Sequence, residues 1–580
     1  MPALKRWQVA PALSPDVLRR YRHMSMTLAQ VLHNRGMTDE VSAARFLDAD
    51  DPAIGRVLGF SGKRTSIDKA LARIRRAIKD REIIAVYGDF DADGVTSTAL
   101  LMQTLKTLGA HALAYIPHRV DEGYGLNSDA LLKLQRQGVR VVITVDCGIR
   151  SVREVEDGKI YGLDIIVTDH HTIGPEVPNA YAVINPKLED VAYSEDMLAG
   201  VGVAYRLAEA LLTISGTQPI RKTNGSVAPP LTPDDLVDLV AVGTVADLAP
   251  LNRVENRALV RRGLAIMNTG RRTGLRALAE VSGLKLGTLV ASNIGYTLGP
   301  RINAAGRLDS AMLAYELLVT DDENRAAELA LQLQQLNVTR QELTRQAQDM
   351  IRDQLTDAES LPLIFAGDRS FKPGIVGLVA GRLVEEFFRP TIIMEEGEYE
   401  SRASCRSIPG FDITEALDQC APLLVRHGGH AAAAGFTVLN ENIPALREQL
   451  LDIARSALEN QDLSPIIEVD VALDANAITL DLVTELMKLE PTGHGNPAPV
   501  FVTRGLRVLD QRLVGKDERH IKLKLGRAGS SPVDAIGFHM AEGYPNGATR
   551  VDVVYHLEIN EWNGQRSPQL NLLDVRAARD

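Results

Sequence analysis

Cysteine is scarce in this sequence. Only Cys147, Cys405 and Cys420 occur in 580 residues, an odd number with no Cys-x-x-Cys spacing. That excludes a disulfide framework and a thiolate zinc site, and it fits a reducing compartment. No apolar run reaches membrane-spanning length, and the opening Met1-Pro2-Ala3-Leu4-Lys5-Arg6-Trp7 lacks the apolar centre of a secretory signal. A cytoplasmic protein with no membrane partner is the expectation. Basic residues are not in excess either: 64 Lys and Arg against 75 Asp and Glu give a formal net charge of -11. That argues against a generic nucleic-acid coat, but not against one local basic groove. What remains is ordinary for a globular protein, 45% hydrophobic and 24% charged, and long enough for about two to four domains.

One stretch organises the rest. Residues 83–86 form a short apolar run that reads as a buried strand, followed by Gly88-Asp89-Phe90-Asp91-Ala92-Asp93-Gly94 and a helical pattern that stops at Gly109. A strand, an acidic loop and a helix place Asp89, Asp91 and Asp93 at the carboxyl edge of a sheet, where open α/β folds bind ligands. An acidic turn is the plain reading of Asp-x-Asp alone. Its repetition speaks against that. Residues 139–145 read as a strand ending in Asp146-Cys147-Gly148, and residues 164–168 as another ending in Asp169-His170-His171. Strands alternating with helices predict a parallel sheet, so these groups converge on one edge. Residues 236–248 are apolar apart from Asp238 and Asp247; a carboxylate there is costly unless paired or metal-bound. Asp247 is read as a ligand and Asp238 as a surface residue.

Asp89, Asp91, Asp93, Asp146, His170 and Asp247 together suit Mn²⁺ or Mg²⁺ better than zinc or copper. Two such ions about 3.5–4 Å apart could share a carboxylate, activate a water and stabilise a leaving oxygen at phosphorus.

The flanking regions divide into four. Residues 1–80 read as a helix-rich preface. Its basic cluster Lys69, Arg73, Arg75, Arg76, Lys79 and Arg81 is either a solvated helix face or a phosphate contact. Residues 321–357 lack Gly and Pro, with Leu329, Leu336, Leu343 and Met350 at every seventh position. The spacing fits a coiled-coil dimer or one helix linking two domains; Arg340 in the second seam favours the linking helix. Residues 358–462 carry a second α/β unit with Arg406-Ser407-Ile408-Pro409-Gly410 and a loop containing Gly428-Gly429-His430, a candidate phosphate clamp. Residues 463–580 turn to short alternating strands (467–473, 500–508, 520–525, 551–559 and 569–575), which suit an OB-fold barrel. Lys516, Arg519, Lys522, Lys524 and Arg527 supply positive charge there. Trp562 is a candidate for base stacking, whereas Tyr555 reads as core.

Asp169-His170-His171, with Asp89-x-Asp91-x-Asp93-Gly94 and Asp146, resembles the DHH phosphoesterase superfamily. Gly299-Pro300-Arg301-Ile302-Asn303-Ala304-Ala305-Gly306-Arg307, the Arg406 and Gly428-Gly429-His430 segments, and Glu490-Pro491-Thr492-Gly493-His494-Gly495-Asn496-Pro497 are similar to the RecJ family within it. The resemblance covers nearly the whole chain. It implies two α/β domains of DHH type (81–320) and DHHA1 type (358–462) joined by a long helix (321–357), with a C-terminal OB-fold. It also implies a single-stranded-DNA-specific exonuclease of recombination and repair, working 5′ to 3′ and releasing mononucleotides. Asp91 and Asp146 would hold one ion; Asp93, His170, Asp247 and a bridging Asp146 the other. Tyr87 stands where some relatives have a metal-ligating His, so Asp89 would help fill that place. Asp169 would orient an imidazole, and His171 would contact phosphate. Arg301, Asn303 and Arg307 would line the path of the strand, with Arg406, Ser407 and His430 clamping a phosphate. Lys372 occupies a position where the pattern has His, which keeps the charge but not the ring. Single-stranded DNA is the implied substrate, single-strand-binding protein and a helicase the implied partners, and a monomer the expected state. A groove too narrow for two strands would explain refusal of duplex. The rival readings are a phosphodiesterase for small substrates, which the barrel speaks against, and a non-enzymatic scaffold, which the filled acidic positions speak against. No expected metal ligand lies beyond Asp247, so a chain stopped near Asn460 is expected to keep its catalytic machinery.

Overall fold

Ile84, Ala85, Val86 and Tyr87 are fully buried because the strand they form, Ile83–Gly88, is covered on both faces. It lies inside a five-stranded, all-parallel sheet ordered His111–Tyr115, Ile83–Gly88, Val139–Val145, Asp164–Thr168 and Ala182–Ile184. Parallel strands buried on both sides read as continuous apolar runs, which is why 139–145 and 164–168 are recognisable in the sequence. The computed structural model describes residues 5–49, 67–119, 121–123, 125–189, 197–215, 220–221, 227–228, 230–355, 361–459, 461–515, 517–545, 547–562 and 564–578. The chain parts into two compact units. The first is Asp48–Leu343 with Glu490–Asn496; the second is Met1–Leu47, Thr344–Leu489 and Pro497–Asp580.

In the first unit, helices Ile67–Lys79, Ala92–Thr107, Gly200–Ser215 and Val237–Ala246 pack with one sheet face in a single apolar cluster. Tyr87, Leu131, Val142 and Val155 belong to the cluster on the other face. Two polar residues are placed differently from their sequence reading. Arg73 is neither on a solvated face nor on a phosphate: it is 3% exposed and ion-paired to Asp164 and Glu82, each at 2.5 Å. Asp238 is not a surface group. It is buried and accepts from Arg272 Nε at 2.6 Å and Nη2 at 2.9 Å.

The helix Glu323–Gln354 runs on past the residue where the first unit ends. Leu329 and Leu333 are buried in the first unit's core, so this leucine face is consumed within the chain, whereas Met350 is 38% exposed. That is the linking helix, not a coiled-coil seam.

The second unit holds a mixed sheet ordered Leu424–His430, Ala433–Leu439, Glu400–Arg406, Thr391–Glu395 and Ile364–Asp368. It also holds a closed barrel of Phe501–Val514, His520–Gly526, Val533–Gly537, Gln565–Ala577 and Arg550–Trp562, the last pairing back to the first. The barrel's third strand is 533–537 rather than 467–473. The latter splits into Ile466–Val469 and Val471–Ala472. The N-terminal residues join this unit: Arg6–Val9 pairs in parallel with Ile466–Val469, and Tyr21, Leu28, Leu32 and Phe46 share a core with Leu473, Leu486 and Phe501. Residues 1–80 are therefore not one body, since helix Ile67–Lys79 packs in the first unit. Tyr555 is fully buried, its hydroxyl 2.9 Å from that of Thr503. Lys516 and the Trp562 side chain lie outside the described residues. Among the described residues, no helix is long and apolar enough to cross a membrane.

Leu333 is fully buried where the long helix leaves the first unit's core. Leu333→Ala is expected to cost about 2–5 kcal/mol of that unit's stability, read as a shift in its denaturant midpoint.

Candidate metal centre and phosphate site

Three strand ends and one helix end build the centre. Asp91 caps the helix Ala92–Thr107, its side chain accepting from the Asp93 and Gly94 amides at 2.9 and 3.1 Å. Asn303 fixes the same turn by accepting the Ala92 N–H at 2.7 Å. Asp93 is held by a second helix, its two oxygens accepting from the Gly200 and Val201 amides at 2.7 and 2.8 Å. Those amides open Gly200–Ser215, the positive end of a helix dipole. The approach depends on missing side chains. A Cβ at Gly200 would lie 2.6 Å from Asp146 Cβ, and one at Gly243 would lie 2.8 Å from Asp93 Oδ1. Asp146 follows the strand Val139–Val145 in the left-handed region, at φ 61°, a strained conformation of the kind that active sites retain. Asp247 ends the helix Val237–Ala246.

His170 Nε2 lies 3.1 Å from Asp146 Oδ1, 3.7 Å from Asp247 Oδ2 and 3.9 Å from Asp93 Oδ2. Asp169 is hydrogen-bonded to the imidazole of His171. Its Oδ1 lies 2.8 Å from His171 Nδ1 and accepts the His170 and His171 amides, while Oδ2 accepts the Ile149 amide at 2.9 Å. Tyr87 does not enter the centre. It is fully buried, and its hydroxyl donates to the Gly125 carbonyl at 3.1 Å.

Ligand atoms of Asp89, Asp91 and Asp146 lie within 4.8 Å of one another, as do those of Asp93, His170 and Asp247, and those of Asp146, Asp169, His170 and His171. Asp89 Oδ1, Asp146 Oδ1 and His170 Nε2 are buried without an aligned hydrogen bond. Burial, reinforced by neighbouring carboxylates, pushes Asp89 and Asp146 well above the usual carboxylate range. The same causes raise Asp93 to about 7 and Asp247 to about 9. Burial and then the neighbouring His171 lower His170 to about 3, so its ring is neutral. These carboxylates can all be ionised together only with positive charge among them. Five carboxylates and one neutral imidazole fit a pair of hard divalent cations such as Mn²⁺ or Mg²⁺.

Around this centre, Arg301 and Arg307 lie on the helix Gly299–Leu308 with Asn303. Arg301 is braced, donating through Nε to Gln334 and through Nη1 to the Thr297 carbonyl, both at 2.7 Å. Asn303 positions the acidic turn, a role that its sequence motif does not disclose. The amides of Gly200 and Val201 were not anticipated. The glycines of Ala199-Gly200-Val201-Gly202 are the signal that could have found them.

The clamp candidates lie in the second unit. Gly428-Gly429-His430 is not a loop. It ends the edge strand Leu424–His430, so its amides do not form an anion nest. Arg406 and His430 both stand opposite Ala433, on the strands to either side of it. Residues paired across an antiparallel sheet share a face, so the two side chains project the same way about 10 Å apart. Ser407 uses both donors internally, its hydroxyl on the Phe411 carbonyl at 2.6 Å and its amide on the Ala432 carbonyl at 2.9 Å. Lys372 is exposed in the turn before the helix Val376–Phe387.

Family comparison matches the DHH family N-terminal domain over residues 83–244, the DHHA1 domain over 361–458 and the RecJ OB domain over 469–574. The single-stranded-DNA-specific exonuclease RecJ of Bacillus subtilis (strain 168) is 37% identical over 581 residues, covering 98% of this chain and 70% of that one. Its namesake in Escherichia coli K12 is 36% identical over 524 residues, covering 87% of this chain and 89% of that one. The crystal structure of RecJ in complex with Mn²⁺ from Thermus thermophilus matches at a TM-score of 0.82 and 31% identity, covering 99% of this chain and 80% of that one. The Mg²⁺ complex from the same organism matches at 0.76 and 29%, covering 99% and 79%. With relatives at this identity along almost its full length, and with DHH, DHHA1 and RecJ OB domains matched in succession, the chain belongs to the RecJ family.

Proposed function

We propose that this chain is a cytoplasmic, metal-dependent exonuclease of recombination and repair that removes mononucleotides from single-stranded DNA in the 5′ to 3′ direction. Single-strand-binding protein and a helicase are its proposed partners, and the monomer its working state. One observation carries the reading: two acid-rich groups, Asp89/Asp91/Asp146 and Asp93/His170/Asp247, each gather their donor atoms within 4.8 Å. Mn²⁺ or Mg²⁺ held there supplies Lewis acidity toward a water and toward the scissile phosphate. The protein's own part is positioning. Asp146 faces both groups from a strained backbone, so it is the residue to bridge them. The amides of Gly200 and Val201 hold Asp93 with its oxygens fixed, and a neutral His170 keeps a ring nitrogen available as a donor. Asp169 fixes the His171 ring, which supports a role for that imidazole in contacting a phosphate oxygen. Arg406 and His430, on one sheet face of the second unit, suit a phosphate of single-stranded DNA.

On the barrel, Lys522 and Arg512 stand opposite each other on adjacent strands, whereas Lys524 lies between Asp510 and Asp534. The Arg512–Lys522 pair is therefore the better backbone contact. A substrate panel with Mn²⁺ tests the whole reading: end-labelled single-stranded DNA, duplex, short RNA, a cyclic dinucleotide and pyrophosphate. Preference for either small substrate would overturn it.

Asp146→Ala is expected to slow cleavage by about 10²–10³-fold or more, because it removes the proposed bridge between the two groups, while single-strand binding persists. Near-normal turnover would remove the two-ion assignment. Arg406→Ala should raise the KM for single-stranded DNA by roughly 10- to 100-fold, with the metal content measured by mass spectrometry unchanged. Arg512→Gln with Lys522→Gln should flatten the salt dependence of long-strand binding by about 1.4 in log–log slope, read from a fluorescence titration series.

A further inference from the structure

Residues Glu490–Asn496 precede the first barrel strand in sequence, yet they group with the first unit. They close on themselves. The Gly493 and Asn496 amides exchange hydrogen bonds with each other's carbonyls at 2.8 and 3.1 Å. The fully buried Asn496 donates through Nδ2 to the Pro491 carbonyl at 2.8 Å, and the Glu490 carboxylate accepts the Thr492 amide at 2.9 Å. This closed segment is then gripped at two points. Arg257, fully buried on the helix Val254–Met267, donates to the Glu490 carbonyl at 2.7 Å and the Pro491 carbonyl at 3.3 Å. The Leu251 amide donates to the His494 carbonyl at 2.7 Å. Gly495, at φ 71°, fits so closely that a Cβ there would lie 2.8 Å from Asn252 Oδ1 and 3.0 Å from Pro250 Cβ.

The backbone gripped in this way begins at Pro250, just after Asp247. Asp247 ends its helix, and Leu248 turns the chain at φ 59°, a left-handed conformation that a branched side chain adopts only when its surroundings enforce it. Asn256 adds a bond from Nδ2 to the Pro250 carbonyl at 3.2 Å. The turn that aims Asp247 is thus held from one side by its own helices and from the other by a segment more than 230 residues away in sequence.

We propose that Glu490–Asn496 is a positioning strap for Asp247, locked by Arg257, which sets the affinity of the Asp93/His170/Asp247 group for a divalent cation. The strap acts through Asp247 and touches no substrate. It also changes what a chain stopped near Asn460 would retain: the ligands stay, but the strap goes. The inference rests on Asp247 being a ligand.

The test uses the full-length chain and direct Mn²⁺ titration followed by electron paramagnetic resonance of the free ion, with melting recorded for every variant. Arg257→Met is expected to weaken one of the two bound Mn²⁺ ions, the one that Asp247→Ala also weakens, by roughly 10- to 100-fold, and Arg257→Lys to recover part of the loss. Gly495→Ala, at an exposed position, should weaken the same ion and keeps the proposal testable if Arg257→Met does not fold. In an Asp247→Ala background, Arg257→Met should have no further effect on Mn²⁺ affinity, because both changes act on one ligand. Lowered melting with unchanged Mn²⁺ affinity, or additive losses in the double variant, would overturn the strap. Unchanged Mn²⁺ affinity in Asp247→Ala alone would instead overturn the metal-centre reading, and the strap with it.

Discussion

Carboxylates crowded into a pocket with little water repel one another, by about 4 kcal/mol for a pair 4 Å apart at an effective dielectric of 20. Here Asp89, Asp93 and Asp146 are almost completely buried beside Asp91 and Asp247. The first unit is arranged to hold that cluster together. The strand ends deliver Asp89, Asp146 and Asp169 to one edge, a helix N-terminus faces Asp93, and Gly200 and Gly243 allow the helices close enough to do it. A divalent cation completes the arrangement by reversing the repulsion that burial has amplified.

The same need for fixed geometry shows in the polar residues of the motifs, which are held by their neighbours. Asn303 and Asp169 are both polar members of recognisable motifs, yet each is committed to a neighbour: Asn303 to the Ala92 amide and Asp169 to His171 and three amides. Ser407 is committed likewise. Arg406 is braced too, donating through Nη1 to the Cys405 carbonyl at 2.8 Å and to Ser404 Oγ at 3.2 Å, and it shares a cross-strand row with His430. Chemistry that needs geometry fixed to a fraction of an ångström calls for such supporting bonds.

The second unit shows how a small barrel is completed by distant chain. The barrel's core includes Tyr21, Leu28 and Phe46, and Trp7 donates to Asp574 at 2.6 Å while Arg576 stacks 4.1 Å above its ring. An aromatic at the start of the chain is thus structural in the unit that carries the barrel. Tyr555 is structural as well, fully buried in the barrel core.

Local pattern was enough wherever burial is two-sided or a motif follows a strand. Strands 83–88, 139–145 and 164–168, the linking helix, and the convergence of Asp89, Asp91, Asp93, Asp146, His170 and Asp247 were all legible in this way. Much of the barrel was legible too, because alternating residues have a period of two; the short strand 533–537 was not. Only the tertiary structure decided the residues whose meaning depends on a partner far along the chain. Arg73 reads as a solvated charge or a phosphate contact until Asp164 meets it, and Asp238 as a surface acid until Arg272 does. Gly428-Gly429-His430 reads as a loop until Ala433–Leu439 pairs with it. Residues 490–496 read as part of the 463–580 barrel region until Arg257 takes hold of them. Periodicity records which face of an element is apolar, but not which distant group will satisfy a buried charge or an unpaired strand edge, and for these residues that choice sets the role.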